Sequence, residues 1–200
     1  MVTVGQVITE IKTLINYQLW PRMFRSMKAI QIEKTSDGKP AIKQNYEIYE
    51  EVEHDKSATI QAAGVVVLSS LAAGVGAIHL GASNFLLGPL LSQASWYFWA
   101  FIIYIVGTKL FPDKETRSDH GELLRTIGFS SAPGLIRVFA FTPELMTVTF
   151  VGSALWMLAC MVVAVKQALD YKSLWRALGV VIVSWFIQAF LLLLILLIFR

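Results

Sequence analysis

The sequence predicts an all-α integral membrane protein, a five-span helical bundle with an N-terminal amphipathic helix and a small cytoplasmic segment. Three observations lead to this fold class. Hydrophobic residues make up 56% of the 200 and charged residues only 16%, against roughly 25% charged in ordinary soluble domains. The apolar residues come in long runs rather than in short periodic stripes, which is typical of a chain surrounded by lipid. The basic residues lie almost entirely in alternate connections between those runs.

Residues 1–57 form the polar part of the chain. Apolar residues recur over residues 4–19 at the spacing of one helix face, which predicts an amphipathic helix. Trp20-Pro21 is expected to interrupt it, because the residue before proline is disfavoured in the α region. The helix either lies along the membrane surface or packs against the spans or a partner subunit. Three interfacial basic residues follow it: Arg22, Arg25 and Lys28.

Residues 30–44 alternate in character around Asp37-Gly38, a strong turn signal, and this pattern predicts a small hairpin. Residues 46–57 form an acidic juxtamembrane segment. Four carboxylates on it are interpreted as a solvated face: Glu50, Glu51, Glu53 and Asp55.

Five apolar stretches divide the membrane domain, residues 58–200. The predicted spans are 59–80, 90–110, 123–141, 145–165 and 178–199. At about 1.5 Å per residue, each is long enough for a hydrocarbon core of about 30 Å. Gly88-Pro89 is expected to open the second span. Thr142-Pro143-Glu144 is expected to open the fourth with a hydroxyl cap, a proline and an acid.

The third stretch is the weakest, because it carries Arg125 and Arg137. With five crossings and a cytoplasmic N-terminus, every one of the 17 basic residues except Arg137 and Arg200 lies in an inner segment. That distribution follows the positive-inside rule. Without the third crossing, the basic loop at 166–176 would fall outside. The charges therefore favour five spans.

Small residues at four-residue spacing predict close helix packing. The candidate packing residues in the first and third spans are Gly74, Gly76, Gly128, Ala132, Pro133 and Gly134. Pro133 is expected to kink the third helix and to free the carbonyl of Phe129. Ser130 and Ser131 stand where they could satisfy freed backbone groups. We expect the third span to pack against the first.

Two polar side chains within the spans are candidates for function, since such groups are costly in lipid. Arg137 either reaches the outer head groups or pairs with Glu144. Gln188 either bonds to a neighbouring helix or belongs to a solute path. The spans contain no Asp or Glu, which argues against a proton-coupled carrier.

No catalytic, cofactor-binding or metal-binding residues are predicted. Cys160 is the single cysteine, so no cysteine pair exists within one chain. The three histidines lie at or beyond the membrane edges: His54, His79 and His120. Gly128-Phe129-Ser130-Ser131 is similar to the serine motif of an intramembrane protease, but a histidine in a neighbouring span is missing. The topology explains the basic residues, so no nucleic-acid partner is expected.

Several separated segments resemble the Yip-domain (Ypt/Rab-interacting protein) membrane family. They are VGTKLFPDKETRSDHGELLRTIGFSSAPGLIRV (106–138), Leu155-Trp156-Met157, 164–171, and YEEVEHDKSATIQAA (49–63). The resemblance covers roughly Tyr46 to Phe199, and the segments are similar to the family's bacterial branch. That similarity implies that the protein lies in a bacterial cytoplasmic membrane. Eukaryotic members are five-span proteins of the endoplasmic reticulum and Golgi that contact Rab-type GTPases. The bacterial branch has no established general function, so the resemblance implies a fold and no catalytic role.

The first functional hypothesis is a non-catalytic scaffold or accessory subunit that contacts the bilayer and other membrane-protein subunits. It needs no cofactor and no small-molecule substrate. The alternative is a carrier or channel for a small or lipidic solute, which a water-lined cavity reaching Gln188 or Arg137 would favour. A membrane enzyme has the least support, because the spans lack converging acid, base and nucleophile groups.

Overall fold

The computed structural model describes residues 18–34, 39–78, 83–114 and 116–198. Its helices are α1 (Trp20–Met27), α2 (Glu47–His54), α3 (Ala58–Gly76), α4 (Ser83–Ile105), α5 (His120–Ser130), α6 (Pro143–Ala168) and α7 (Leu174–Ile198). The strands are β1 (Ile30–Lys34) and β2 (Pro40–Gln44). A π-helical turn, Val106–Leu110, follows α4, and a 3₁₀ segment, Ala132–Phe139, follows α5. The helix expected over 4–19 lies outside the described residues apart from its last two.

Four helices among the described residues are long and apolar enough to cross a membrane: α3, α4 with its π-helical turn, α6 and α7. The chain is therefore an all-α, multi-pass integral membrane protein. Thr142 begins α6 with its hydroxyl accepting from the Leu145 amide, so the predicted cap is confirmed. The second candidate span runs from Leu87 to Leu110, close to the start expected at Gly88-Pro89. The helix itself is longer, because α4 begins at Ser83 and contains Pro89. Proline is tolerated inside membrane helices, where neighbouring groups satisfy the freed backbone.

The third apolar stretch is not the single kinked helix that the sequence predicted. It consists of α5, a break at Ser131, and the 3₁₀ segment, in whose first turn Pro133 lies. The α-helix stops before Pro133, since the proline ring clashes with continued α-helical geometry. The two pieces together measure roughly 30 Å at the usual rise per residue. The stretch runs beside α3 in the same direction, with Gly128 near Ala62 and Arg137 near Gly76.

Residues 18–57 form a head at one end of the bundle. Strands β1 and β2 pair antiparallel from Ile30 with Gln44 to Lys34 with Pro40, as the turn signal predicted. Helix α1 begins at Trp20 with Pro21 in its first turn, and Leu19 before it has helical angles (φ −61°, ψ −54°). Proline is tolerated there, because the first amide groups of a helix have no partner within it. The interruption expected at Trp20-Pro21 stays a prediction, because nearly all of the helix that it would end lies outside the described residues.

Two connections meet at the head end. The Tyr171 hydroxyl, between α6 and α7, donates to the carbonyls of Gly107 and Phe111 after α4 at 2.9 and 2.7 Å. Lys166 near the end of α6 donates to the Tyr46 hydroxyl of the head at 3.0 Å. The basic loops of the sequence therefore gather at this end.

The buried core has two parts. One joins the head to α3, α5 and α6 around fully buried Met23, Tyr49 and Phe129. The other joins α4, α5, α6 and α7 around Ile103 and Leu123. The helix α5 contributes to both parts, and all its residues from Leu123 to Ser130 are buried.

Candidate functional site

The seam between α3 and the third stretch is closed by small residues. A Cβ added at Gly128 would lie 2.7 Å from the Cβ of Ala62. One at Gly134 would overlap the Ser69 hydroxyl, and one at Gly76 the Arg137 carbonyl. The remaining candidate packing residues of the sequence are also buried: Gly74, Ala132 and Pro133.

Hydroxyl groups surround the break in the third stretch. The Ser26 hydroxyl of α1 lies 2.9 Å from the Phe129 carbonyl, the group that Pro133 leaves without its usual helical donor. The hydroxyls of Ser130 and Ser131 donate to the carbonyls three residues earlier at 2.7 and 2.6 Å. Ser130 and Ser131 therefore bond to nearby carbonyls, as predicted, whereas the Phe129 carbonyl is contacted by Ser26 of the head.

A cavity of about 380 Å³ opens beyond this seam, between α3, α4, the third stretch, α6 and α7. Its polar lining consists of five serines, one arginine and one glutamine: Ser69, Ser70, Ser92, Ser95, Ser131, Arg137 and Gln188. Three tryptophans complete the walls: Trp96, Trp99 and Trp185. None of the described lining residues is Asp, Glu, His, Cys or Lys.

Arg137 is directed into the bundle. Its Nε donates to the Ser153 hydroxyl at 2.8 Å, and its Nη2 lies 3.5 Å from the sulfur of Met157. Its guanidinium carbon lies 5.2 Å from the Phe150 ring centroid. Ser153 stands ten residues after Pro143 in α6, or roughly 15 Å along the helix, which is about half of a hydrocarbon core.

The expected pairing of Arg137 with Glu144 is wrong, because Arg137 donates to Ser153 instead. Glu144 is nine residues before Ser153, or roughly 13 Å away along α6. Among the described residues, no Asp or Glu forms an ion pair with Arg137. A half-buried cation in the apolar region therefore faces the cavity without a described counter-charge.

Gln188 stands on the opposite wall. Its Nε2 lies 3.5 Å from the Ser95 hydroxyl of α4, at the long limit of a hydrogen bond. Gln188 therefore bridges α7 and α4 and also lines the cavity. Its two predicted roles, a bond to a neighbouring helix and a place on a solute path, both remain open.

A second cavity of about 540 Å³ adjoins the first between α6 and α7. It shares five lining residues with the polar cavity: Trp99, Arg137, Met157, Met161 and Trp185. Its other walls are apolar, and Leu158, Ile182 and Phe186 on its rim are 42%, 44% and 65% exposed. The pair of cavities is therefore polar on one side of Arg137 and apolar and open to lipid on the other.

The predicted solvated acidic face is confirmed only in part: Glu50 is exposed, whereas Glu51 and Asp55 belong to an ionic network in the head. Buried Arg22 lies 2.8 Å from both Glu51 and Asp55, and its Nη1 donates to Gln61 of α3 at 3.0 Å. Helices α1 and α2 therefore pack with Arg22 between two carboxylates, which agrees with the packed alternative for this basic residue.

Glu53 is a further correction. Its side chain is 6% exposed, and the guanidinium of Arg125 donates to the backbone carbonyls of Val52 and Glu53. Burial, together with the nearby charges of Glu122 and Asp170, raises the pKa of Glu53 to about 7. This carboxyl belongs to the packing of the head against α5, not to a solvated surface.

Sequence reasoning found Arg137 and Gln188 but missed the serines of α4 and the tryptophans as parts of one site. The signal available was weak, because Ser92, Ser95 and Trp99 share a helix but lie in an otherwise apolar run. In the described part of the chain, no three His, Cys, Asp or Glu side chains could hold a metal ion.

The fold defines a multi-pass helical membrane protein with two adjoining cavities between its helices. The sequence matches the Yip1 domain over residues 43–196. The chain therefore belongs to the Yip1-domain family. Searches among curated proteins and among solved structures each found no match.

Proposed function

We propose that this Yip1-domain protein binds a small or lipidic solute in its intramembrane cavity and acts as a carrier for it, without catalysing a reaction. The observation that carries the proposal is a cavity lined by both Arg137 and Gln188. The sequence favoured a scaffold and expected no small-molecule substrate. We rank the carrier first because a packed scaffold needs no polar cavity between its helices.

The lining supports binding rather than chemistry. A volume of about 380 Å³ falls within the roughly 300–1,000 Å³ of small-molecule sites. The described lining supplies hydroxyl, amide, indole and guanidinium groups, but none of the carboxyl, imidazole or thiol groups that usually transfer protons or attack substrates. A solute would be oriented here by a few polar groups among aromatic walls.

Thiol accessibility tests the carrier proposal. Cys160 is the single cysteine, so a Cys160→Ser background lets one new thiol be read alone. We expect Ser95→Cys, in the cavity, to react with a membrane-impermeant thiol reagent added from either side of sealed vesicles. Phe98→Cys, on the same helix, 42% exposed and outside the cavity lining, is the matched control; we expect it to face lipid and to stay unmodified. Labelling of Ser95→Cys from one side only, or from neither, would contradict a carrier.

A scaffold or accessory subunit is the second candidate, and the hairpin favours it. Ile32 in β1 is 78% exposed, and the sheet has only two strands. Isolated two-stranded hairpins are marginal in water, and unpaired strand edges are common places for a partner to bind. On this proposal the N-terminal head is cytoplasmic, in a bacterial plasma membrane, and holds other membrane-protein subunits.

Affinity isolation in mild detergent tests the second candidate. A stoichiometric membrane subunit should co-purify with the parent chain and be lost from Ile32→Lys. Gln31→Lys, which adds the same charge at the neighbouring exposed position, should retain it. Equal recovery from both variants would contradict a role for the exposed Ile32 face.

A further inference from the structure

We infer that the two adjoining cavities form a binding site for an anionic phospholipid, with its phosphate at Arg137 and an acyl chain between α6 and α7. The inference rests on the proposed solute-binding function and names the class of solute. It concerns binding alone, and therefore holds whether or not the lipid is carried across the membrane.

The charge of Arg137 is the first argument. A cation in the apolar region is costly and is normally paired, yet no described carboxylate pairs with Arg137. Its contacts with Ser153 and Met157 use two of the five N–H groups of the guanidinium. A phosphate matches the fork of an arginine and would supply the missing charge.

The serines provide the second argument. The hydroxyls of Ser69, Ser70 and Ser92 donate to backbone carbonyls at 2.7, 2.8 and 2.8 Å. Each of these hydroxyls has used its proton, so its oxygen can only accept a hydrogen bond. Ser69 lies in the seam against Gly134, whereas Ser70 and Ser92 line the cavity from α3 and α4. A head group that combines a phosphate with free hydroxyls, such as phosphoglycerol, matches an arginine beside a row of acceptors.

The apolar cavity provides the third argument. It begins at Arg137 and continues between α6 and α7 to a rim exposed to lipid. An acyl chain attached to a phosphate at Arg137 could enter from the bilayer through that rim without crossing polar surface. A free anion would use only the first cavity, so the second one favours an amphiphile.

Ligand-dependent thermal unfolding of the full chain in detergent micelles tests the inference. The probes are a short-chain phosphatidylglycerol, the phosphatidylcholine of the same chain length, and inorganic phosphate. For the parent chain we expect phosphatidylglycerol to raise the unfolding temperature and to bind at least about tenfold more tightly than phosphatidylcholine, a difference of about 1.4 kcal/mol. Both lipids carry a phosphate, but the choline cation of phosphatidylcholine offsets the phosphate charge beside Arg137, and choline has no hydroxyl to donate to the serines. Inorganic phosphate should have no effect at the same concentration.

Three variants locate the site. Arg137→Met should lose at least about tenfold in affinity for phosphatidylglycerol, which removes the preference over phosphatidylcholine. Ala154→Phe, which fills the apolar cavity from α6 and leaves the charge of Arg137 in place, should weaken both lipids. Arg176→Met is the control, because Arg176 pairs with Asp113 at the head end, and it should bind as the parent does.

Equal binding of the two lipids by the parent chain would overturn the inference, as would full affinity in Arg137→Met or in Ala154→Phe. An equal response to inorganic phosphate would also overturn it, in favour of a simple anion site. Should Arg137→Met not fold, the lipid comparison on the parent chain and the Ala154→Phe variant still decide. Failure of thiol labelling from both sides would reject transport while leaving this binding result intact.

Discussion

Replacing Gly128 by alanine should destabilise the protein, although alanine is the better helix former. The new Cβ would lie 2.7 Å from the Ala62 Cβ and 3.2 Å from the Ala62 Cα and carbonyl oxygen. Carbon atoms pack at about 3.5–4.0 Å, so α3 and α5 would have to separate by about 1 Å. Forcing an extra methyl into a packed seam costs about 1–3 kcal/mol, against a helix-propensity gain of up to about 1 kcal/mol. We expect a net loss of about 1–2 kcal/mol.

Gly152→Ala is the matched control. Gly152 lies inside α6, and a Cβ there would meet nothing within 4 Å. The same substitution should therefore be neutral or stabilising by up to about 1 kcal/mol. The free energy of unfolding of both variants can be measured by titrating mixed detergent micelles with sodium dodecyl sulfate.

The reciprocal change Ala62→Gly completes the test. It removes the methyl that faces Gly128, so the double variant should recover at least about 1 kcal/mol of what Gly128→Ala loses. Equal effects of alanine at positions 128 and 152, or strict additivity with Ala62→Gly, would refute the packing of the third stretch against α3.

Three more outcomes are expected. Because the pKa of Glu53 is raised from 4.5 to about 7, the folded state keeps a proton that the unfolded chain releases, and the free energy of unfolding of the parent falls between those pH values. Glu53→Gln should be as stable as the parent below pH 4.5 and more stable above pH 7 by on the order of 3 kcal/mol. Unfolding temperatures measured across this pH range test the difference. Ser26→Ala should cost about 1–2 kcal/mol, because the Ser26 hydroxyl is shared between the Met23 carbonyl at 2.7 Å and the Phe129 carbonyl at 2.9 Å, and the latter loses its link to the head. Ser70→Ala removes only a local bond within α3 and should cost less in the same unfolding assay. Reporter fusions to the two termini should report opposite sides of the membrane, and a shared side would contradict five crossings.

The sequence carried enough information for the fold class and for the ends of some helices. In lipid every backbone polar group must be satisfied within the chain, so long apolar runs can only be helices. The Thr142 cap is equally local, because its hydroxyl needs only the amide three residues later. The hairpin between β1 and β2 follows from a two-residue turn signal in the same way.

The break in the third stretch could not be predicted from neighbouring residues in the sequence alone. Pro133 predicts an irregularity in the helix, but whether the helix kinks or ends depends on the groups that pack against it. The Ser26 hydroxyl reaches the Phe129 carbonyl from a segment 103 residues away, and Gly134 needs the close approach of Ser69. These contacts allow a helix end and a 3₁₀ segment where the sequence suggested a kink.

Burial of Glu53 and the direction of Arg137 were decided only by the tertiary structure. The sequence placed Glu53 on a solvated face, while packing of the head on α5 buried it. The sequence allows the Arg137 side chain to point in either direction along α6, and its contacts with Ser153 and Met157 determine which direction it takes. The cavity likewise needs side chains from five elements, which no spacing along the chain brings together. The reason is general to membrane helices: lipid-facing and bundle-facing sides are both apolar, so hydropathy locates a span without revealing which of its faces meets another helix.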